Sequence, residues 1–368
     1  MFTFEIKSFK SQQDLDAFRF LERLVLCVFF TLSLLESSRC KDPWGESSTK
    51  VPGKDHWLHG NATCRRLLYG HGTFSKYRAA SPNMTHLEDA PLVEMHVHRV
   101  RGRGYLGQST VPLLQQIITR PLDTLSILEP RHRGACTYHR YGMRRLVTVR
   151  ETAAQDDCLL AINAGFFNSQ TGACLGNIVS DGLLIQSSGG IQNAHFGLTR
   201  DGYIFTGYPS KSDVLSHNFT QLVGGVIWLV KEGVNNVDQS IQSECPITQE
   251  TGTMGTFAAC FSGRAALGHD AQGRVHFLEV DGKTFKYGVS LYSFADKLIQ
   301  LGIVNAINLD GGGSVTVLAN GDLVNRPSDK CMDNFIKCER EVSTAVCVHA
   351  PRCSPTDACW GQGSCQAP

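Results

Sequence analysis

The chain predicts an α+β fold: a mostly antiparallel sheet core with a few packed helices, stapled by disulfides. Three observations predict it. Short β-rich runs recur at hairpin spacing around Asp-Gly turns, helical periodicity is confined to two short segments, and fourteen cysteines are spread over the 368 residues.

The first forty residues stand apart. Leu24 to Leu35 is a twelve-residue apolar core, preceded by Arg23 and followed by Ser37 and Ser38. That is signal-peptide length and too short to cross a bilayer, so residues 1–40 are expected to form a signal-peptide region. No other segment approaches eighteen apolar residues, so no membrane span is expected and a lumenal or secreted product follows. Residues 41–110 are polar and rich in Gly, His and Arg, which predicts a pro-like, loosely structured lead-in that joins the fold from about Pro91. The folded domain is expected over 111–352.

Within it the elements read in order. Leu125 to Leu128 and Leu146 to Val149 look like strands, and Glu151 to Cys158 suits a short helix that feeds the strand Leu159 to Ile162. Phe196 to Thr199 and Tyr203 to Phe205 flank Asp201-Gly202 and predict a hairpin. Val275 to Val280 repeats the pattern after a turn over Asp270 to Gly273, with His269 read as a turn residue. Ser290 is an N-cap for a helix whose Leu291, Phe294, Leu298 and Leu301 share one face, and Gly302 stops it. The next strand opens on Ile303, Val304, Ala306 and Ile307 and ends at Asp310. Past Cys347 the apolar residues disappear. Cys353, Cys359 and Cys365, with Gly361 and Gly363, resemble the cut-short start of an EGF-like module over 353–368.

Composition excludes several functions. Lys+Arg 35 against Asp+Glu 34 gives a net charge of +1, so there is no bulk electrostatic case for nucleic acid. No Cys-x-x-Cys pair occurs, which leaves disulfides as the default for the cysteines and an oxidising compartment as the setting. The sequons at Asn61, Asn83 and Asn218 agree with glycosylation during secretory passage. Neither a metal-ligand signature nor a Gly-x-Ser-x-Gly elbow is present, so no metal and no cofactor is expected.

The most informative stretch is Ile307 to Ser314, a buried strand that ends on Asp310, Gly311, Gly312, Gly313 and Ser314. Glycine allows positive φ and close approach to the backbone, so Asp310 beside bare N–H groups looks built to hold a small polar molecule. A P-loop fails, because no Lys-Ser/Thr follows the glycines. Asn163 and Gly165 close an earlier strand. Asn177, Ser188, Gly189 and Gln192 supply further amides, a hydroxyl and a glycine, and with Asn308 they suggest a hydrogen-bonding pocket that suits a sugar. Arg264, set among small and apolar residues, must find an anion or a surface exit. Asp281 is a second Asp-Gly at a strand end, and paired carboxylates can divide acid and base roles in glycosyl chemistry. Aspartic proteases want Thr or Ser after the Asp, and neither position has it.

Asn163 to Phe167, Cys174 to Asn177, Ser187 to Ala194, Gly268 to Asp270 and Asn305 to Ser314 stand in an order that resembles the phosphodiester glycosidase family. The resemblance runs from about Leu122 to Arg352, with a weaker lead-in from Cys64. It implies that 111–352 is a catalytic domain removing N-acetylglucosamine from GlcNAc-α-phospho-mannose on lysosomal enzyme glycans, thereby exposing mannose 6-phosphate. It also implies a homo-oligomer in the Golgi lumen, acting on phosphorylated N-glycans of lysosomal hydrolases. The EGF-like region is truncated and the family's membrane anchor is missing, so a secreted product is also expected. On this footing Arg264 and the N–H groups of Gly311 to Gly313 hold phosphate, Asp310 is nucleophile or base, and Asp281 is a second carboxylate. Asn163, Asn177 and Gln192 grip the sugar. The expected disulfides are Cys331–Cys338, Cys136–Cys174, Cys158–Cys347 and Cys64–Cys245, with Cys260 left as a buried thiol; each long closure contributes roughly 2–5 kcal/mol. Two other readings stay open: a secreted O-glycosidase using Asp281 with Asp310, and a non-enzymatic extracellular binding protein.

Overall fold

A computed structural model describes residues 64–81, 91–104, 106–130, 146–216, 218–328 and 339–351. The signal-peptide region, the EGF-like tail, Asn61, Asn83, Cys136, Cys331 and Cys338 lie outside the described residues. Among the described residues no helix is long and apolar enough to cross a membrane.

Three antiparallel sheets form the described part. The first contains, in spatial order, β1 (Thr73–Arg78), β9 (Tyr203–Tyr208), β8 (His195–Thr199), β10 (Phe219–Gly224), β6 (Ile178–Ser180) and β7 (Leu183–Gln186). The second contains β12 (Val234–Asn235), β11 (Trp228–Lys231), β15 (Ile303–Asn308), β13 (Arg264–Asp270), β14 (Val275–Val280), β3 (Gly107–Ile118) and β2 (Val93–Gly104). The third contains β17 (Asp322–Leu323), β16 (Val317–Ala319), β5 (Leu160–Asn163), β18 (Ala345–Val348) and β4 (Leu125–Leu128). Six short helices complete it: α1 (Pro121–Thr124), α2 (Val149–Ala153), α3 (Lys211–Ser216), α4 (Val237–Ser243), α5 (Met254–Ala259) and α6 (Leu291–Gln300).

The seven-stranded sheet is covered on both faces, which is why β13 and β14 are buried at every position. On one face Leu267, Phe277 and Ile307 meet Phe196 and Ile204 of the first sheet and Ile162 and Val346 of the third. On the other, Ala266, Leu278 and Ala306 pack against Phe257 of α5 and Leu291, Phe294 and Leu298 of α6. Local chemistry sets the ends of α6 as expected. The Ser290 hydroxyl accepts from Ser293 N at 3.2 Å, and Gly302 turns away at φ +82.

Three expectations are corrected. The stretch 41–110 carries β1, all of β2 and the first residues of β3, so regular structure begins ahead of Pro91. β1 and β2 mix charged and imidazole groups with isolated apolar residues, so no apolar run marks them. Leu146 to Val149 is not a strand. Val147 makes an isolated bridge to Val342, and Thr148 then caps α2 by accepting from Glu151 N, the Thr-x-x-Glu spacing of a capping box. His269 is a buried residue of β13, and the turn begins after Asp270.

Disulfides join Cys64 to Cys245 and Cys158 to Cys347, as expected. Cys174 is disulfide-bonded as well. Cys260 is not a thiol, because it too is in a disulfide.

Candidate active site

The chain reverses at Asp310. Its backbone N–H donates to Ala164 O at 3.0 Å, while Asn163 Nδ2 donates to Asp310 O at 2.7 Å. Asn163 also accepts from Thr316 N through Oδ1 at 3.1 Å. A fully buried amide at the end of β5 thus fixes the backbone on both sides of the glycine run, instead of facing a ligand.

Each glycine has a steric reason. Gly312 sits at φ +60, in the left-handed region where a side chain is strained. A Cβ on Gly313 would stand 2.6 Å from Arg340 Nη2, so the missing side chain lets that guanidinium lie on the loop. Gly311 N donates to Asp310 Oδ1 at 3.0 Å, and Gly312 N donates to Gly263 O at 2.9 Å. Two of the three N–H groups expected to face a ligand are therefore committed to protein acceptors.

Around this turn lies a cavity of about 150 Å³. Its lining includes Asp310 with the three glycines, Arg264 and Ser262, and the apolar rings of Phe166, Phe167 and Phe257. Glu250, Arg340, Thr284 and Thr251 line it as well. Arg340 Nη1 donates to Ser314 Oγ at 3.3 Å. Glu250 accepts from Ser169 through both its backbone N–H and its hydroxyl, at 3.0 and 2.7 Å.

Burial pushes the Asp310 carboxyl up to about 6. The Ser314 hydroxyl, the Arg340 guanidinium and the Gly311 N–H pull the other way, while the Glu250 charge adds to the rise. Asp310 therefore changes protonation near neutrality, the range that suits a general base. Arg264 is 2% exposed, and burial lowers it to about 9. It donates through Nε to Val289 O at 3.2 Å and through Nη2 to Phe257 O and Cys260 O at 2.8 and 2.7 Å, with its plane over the Phe257 ring. Its first task is thus to hold the end of α5. Nη1 makes no hydrogen bond to the described residues, and Arg264 lines the cavity.

The remaining sequence candidates separate from this cavity. Asp281 is not paired with Asp310 there: it accepts from Asn325 Nδ2 and from the Arg326 backbone N–H, at 2.9 and 3.0 Å, and closes a loop. Asn308 donates through Nδ2 to Val226 O at 2.9 Å and is buried. The Gly165 N–H donates to Thr344 Oγ1. Asn177 bonds His195 Nε2 at 3.0 Å and accepts from Ser188 N at 2.8 Å. Gly189 and Gln192 flank the point where the 64–67 segment crosses: Leu67 N donates to Gly190 O and Gln192 N to Arg65 O. None of these seven candidates, Ser188 included, lines the cavity. Asn218 is exposed at a positive-φ turn.

Glu250 and Arg340 were not legible. Glu250 sits in the polar run Thr248 to Thr253, and Arg340 in Glu339-Arg340-Glu341, both of which read as solvated loop. No spacing relates either to Asp310.

The family model described as phosphodiester glycosidase matches residues 156–349. N-acetylglucosamine-1-phosphodiester alpha-N-acetylglucosaminidase of Homo sapiens is 48% identical over 275 residues, covering 74% of this chain and 51% of that protein. The protein of the same name from Mus musculus is 46% identical over 275 residues, with the same coverage of 74% and 51%. The chain thus spans about half the length of the curated relatives it matches. Among solved structures, the zebrafish catalytic domain of that name, auto-inhibited by its pro-peptide, superposes with a TM-score of 0.68 at 35% identity. That match covers 81% of this chain and 99% of the zebrafish one.

Proposed function

This chain belongs to the phosphodiester glycosidase family, and from that premise we propose that it hydrolyses the bond between N-acetylglucosamine and phosphate in a sugar 1-phosphodiester. The substrate class is the GlcNAc-α-1-phospho-6-mannose diester on glycans of lysosomal enzymes, and the product is exposed mannose 6-phosphate. The disulfides Cys64–Cys245 and Cys158–Cys347 favour a lumenal setting in the secretory pathway, and assembly as a homo-oligomer belongs to the same reading.

The chemistry follows from the leaving group. A phosphomonoester, with a second pKa of about 6, departs without strong general-acid help. The demand falls on cations to hold the phosphate and on a carboxylate to activate water or capture the anomeric carbon. Arg340 and Arg264, both in the cavity lining, supply the cations. Asp310 is the reacting carboxylate, and Glu250 a second one that biases its charge. Phe166 and Phe167 offer the apolar side against which a sugar face can lie.

The observation that carries this reading is a carboxyl poised near 6 in one cavity with two guanidinium groups. Comparing turnover of a GlcNAc phosphodiester with that of an aryl N-acetylglucosaminide tests it. Preference for the phosphodiester is expected. Preference for the aryl compound would point to an ordinary O-glycosidase, and turnover of neither by folded protein would point to a binding module.

A further inference from the structure

The edge strand β2 presents Arg99, Arg101 and Arg103 to solvent at alternate positions, so the three side chains share one face. Across the pairing with β3 they stand opposite Pro112, Thr110 and Gln108, none of which is a carboxylate. No ion pair to a described residue engages them. The row leads to the cavity. Arg103 exchanges two backbone hydrogen bonds of 2.9 Å with Gly288, and the next residue, Val289, bridges to Ser262 in the cavity wall. Lys283 and Lys286, both exposed, belong to the loop that carries Thr284, a residue of the cavity lining.

We propose that Arg99, Arg101 and Arg103, continued by Lys283 and Lys286, form an anion-binding track that holds a second phosphate group of the same oligosaccharide while the first diester occupies the cavity. Alternate residues of a strand lie about 6.7 Å apart, so the three arginines offer an extended row about 13 Å long, unlike a single phosphate pocket. Charges on an edge strand also discourage strand addition. That purpose needs neither one sign throughout nor a path to the cavity. Once a diester is cleaved, the phosphomonoester left behind carries nearly twice its charge. The track therefore holds the product of one cleavage more firmly than its substrate and keeps the glycan bound for the next.

The inference rests on the proposed reaction, and the test separates the two. Synthetic oligosaccharides carrying one or two sugar phosphodiesters are compared, using the full chain, its Arg99→Gln/Arg101→Gln/Arg103→Gln variant and the corresponding triple Lys variant. For the unaltered chain kcat/KM is expected to favour the doubly substituted compound about ten-fold, beyond the factor of two from counting sites. The advantage should fall to about two in the Gln variant and at high salt, and persist in the Lys variant. Turnover of the singly substituted compound should be equal in all three. An advantage that survives in the Gln variant, or is absent from the unaltered chain, overturns the track. So does a loss in the Gln variant that appears only on a one-diester glycoprotein assayed beside the oligosaccharides, which would assign the arginines to an acidic carrier surface. Failure to cleave even the singly substituted compound would instead overturn the reaction itself.

Discussion

Asn163 Nδ2 donates to the main-chain carbonyl of Asp310 at 2.7 Å, across 147 residues of chain. One residue expected to grip substrate is therefore the support of another. The Asn163 amide has no spare role in the cavity: its oxygen accepts from Thr316 N, and together the two bonds brace the turn that presents the Asp310 carboxyl.

Replacing Asn163 by Ala should leave a buried carbonyl and a buried N–H unpaired, at a cost of about 1–3 kcal/mol. Because the reacting carboxylate would be misplaced, kcat should fall more than KM rises. Thermal melting and steady-state kinetics on the same preparation check both. A loss of stability with unchanged kcat would separate Asn163 from the site.

Asp310→Asn should lower turnover by about 10³-fold. Its effect on stability has the opposite sign. A carboxyl raised from 3.8 to about 6 in the fold favours the neutral form, so ionisation destabilises the native state. The penalty is absent below 3.8, grows through the interval, and is full above about 6. It reaches up to about 3 kcal/mol, less where the cavity admits water. The Asn variant should therefore melt several degrees higher at pH 7.5 and equally at pH 3.5. Equal melting at both pH values would contradict a raised Asp310.

The profile of kcat/KM against pH should rise through an apparent pKa near 6 as Asp310 ionises. Two variants should move that limb in opposite directions. Glu250→Gln removes a like charge and shifts it to lower pH, whereas Arg340→Gln removes a favourable cation and shifts it to higher pH. Shifts of the same sign in both would show that the limb belongs to another group.

Gly313→Ala would push the Arg340 guanidinium off the loop, since the added carbon meets Nη2 at 2.6 Å. Phosphate binding should weaken, lowering kcat/KM about ten-fold with little change in melting. The opposite pattern, loss of stability with full activity, would place Arg340 outside the reaction.

Asp281→Ala should destabilise the 281–326 contact while leaving kcat within about three-fold, because this carboxylate is engaged by Asn325 and the Arg326 backbone. A loss of kcat beyond 10²-fold would restore it as the partner of Asp310.

Much of the fold was legible. The β8–β9 hairpin and the Ser290 cap and Gly302 stop of α6 depend on turn or capping chemistry spanning a few residues, and the strand from Ile303 was legible too, though it stops at Asn308 rather than at Asp310. The failures have the same origin. Thr148 and Glu151 carry a capping signal, but the apolar run over it read as a strand. β2 scatters Val93, Val97 and Val100 among arginine and imidazole on a largely exposed edge, so no apolar alternation marks it.

The sequence by itself determined that a buried strand runs towards Asp310 and a glycine loop with one left-handed position, and that disulfides tie distant segments together. Those are statements about local backbone freedom and about which residue types cross-link. Tertiary structure alone decided that Glu250 and Arg340 join Asp310, that Asp281 does not, and that Asn163 braces instead of binds. A cavity is made where segments far apart in the chain are brought together by burial of their apolar neighbours, and no spacing within any one segment records which of its polar side chains will be left facing the gap.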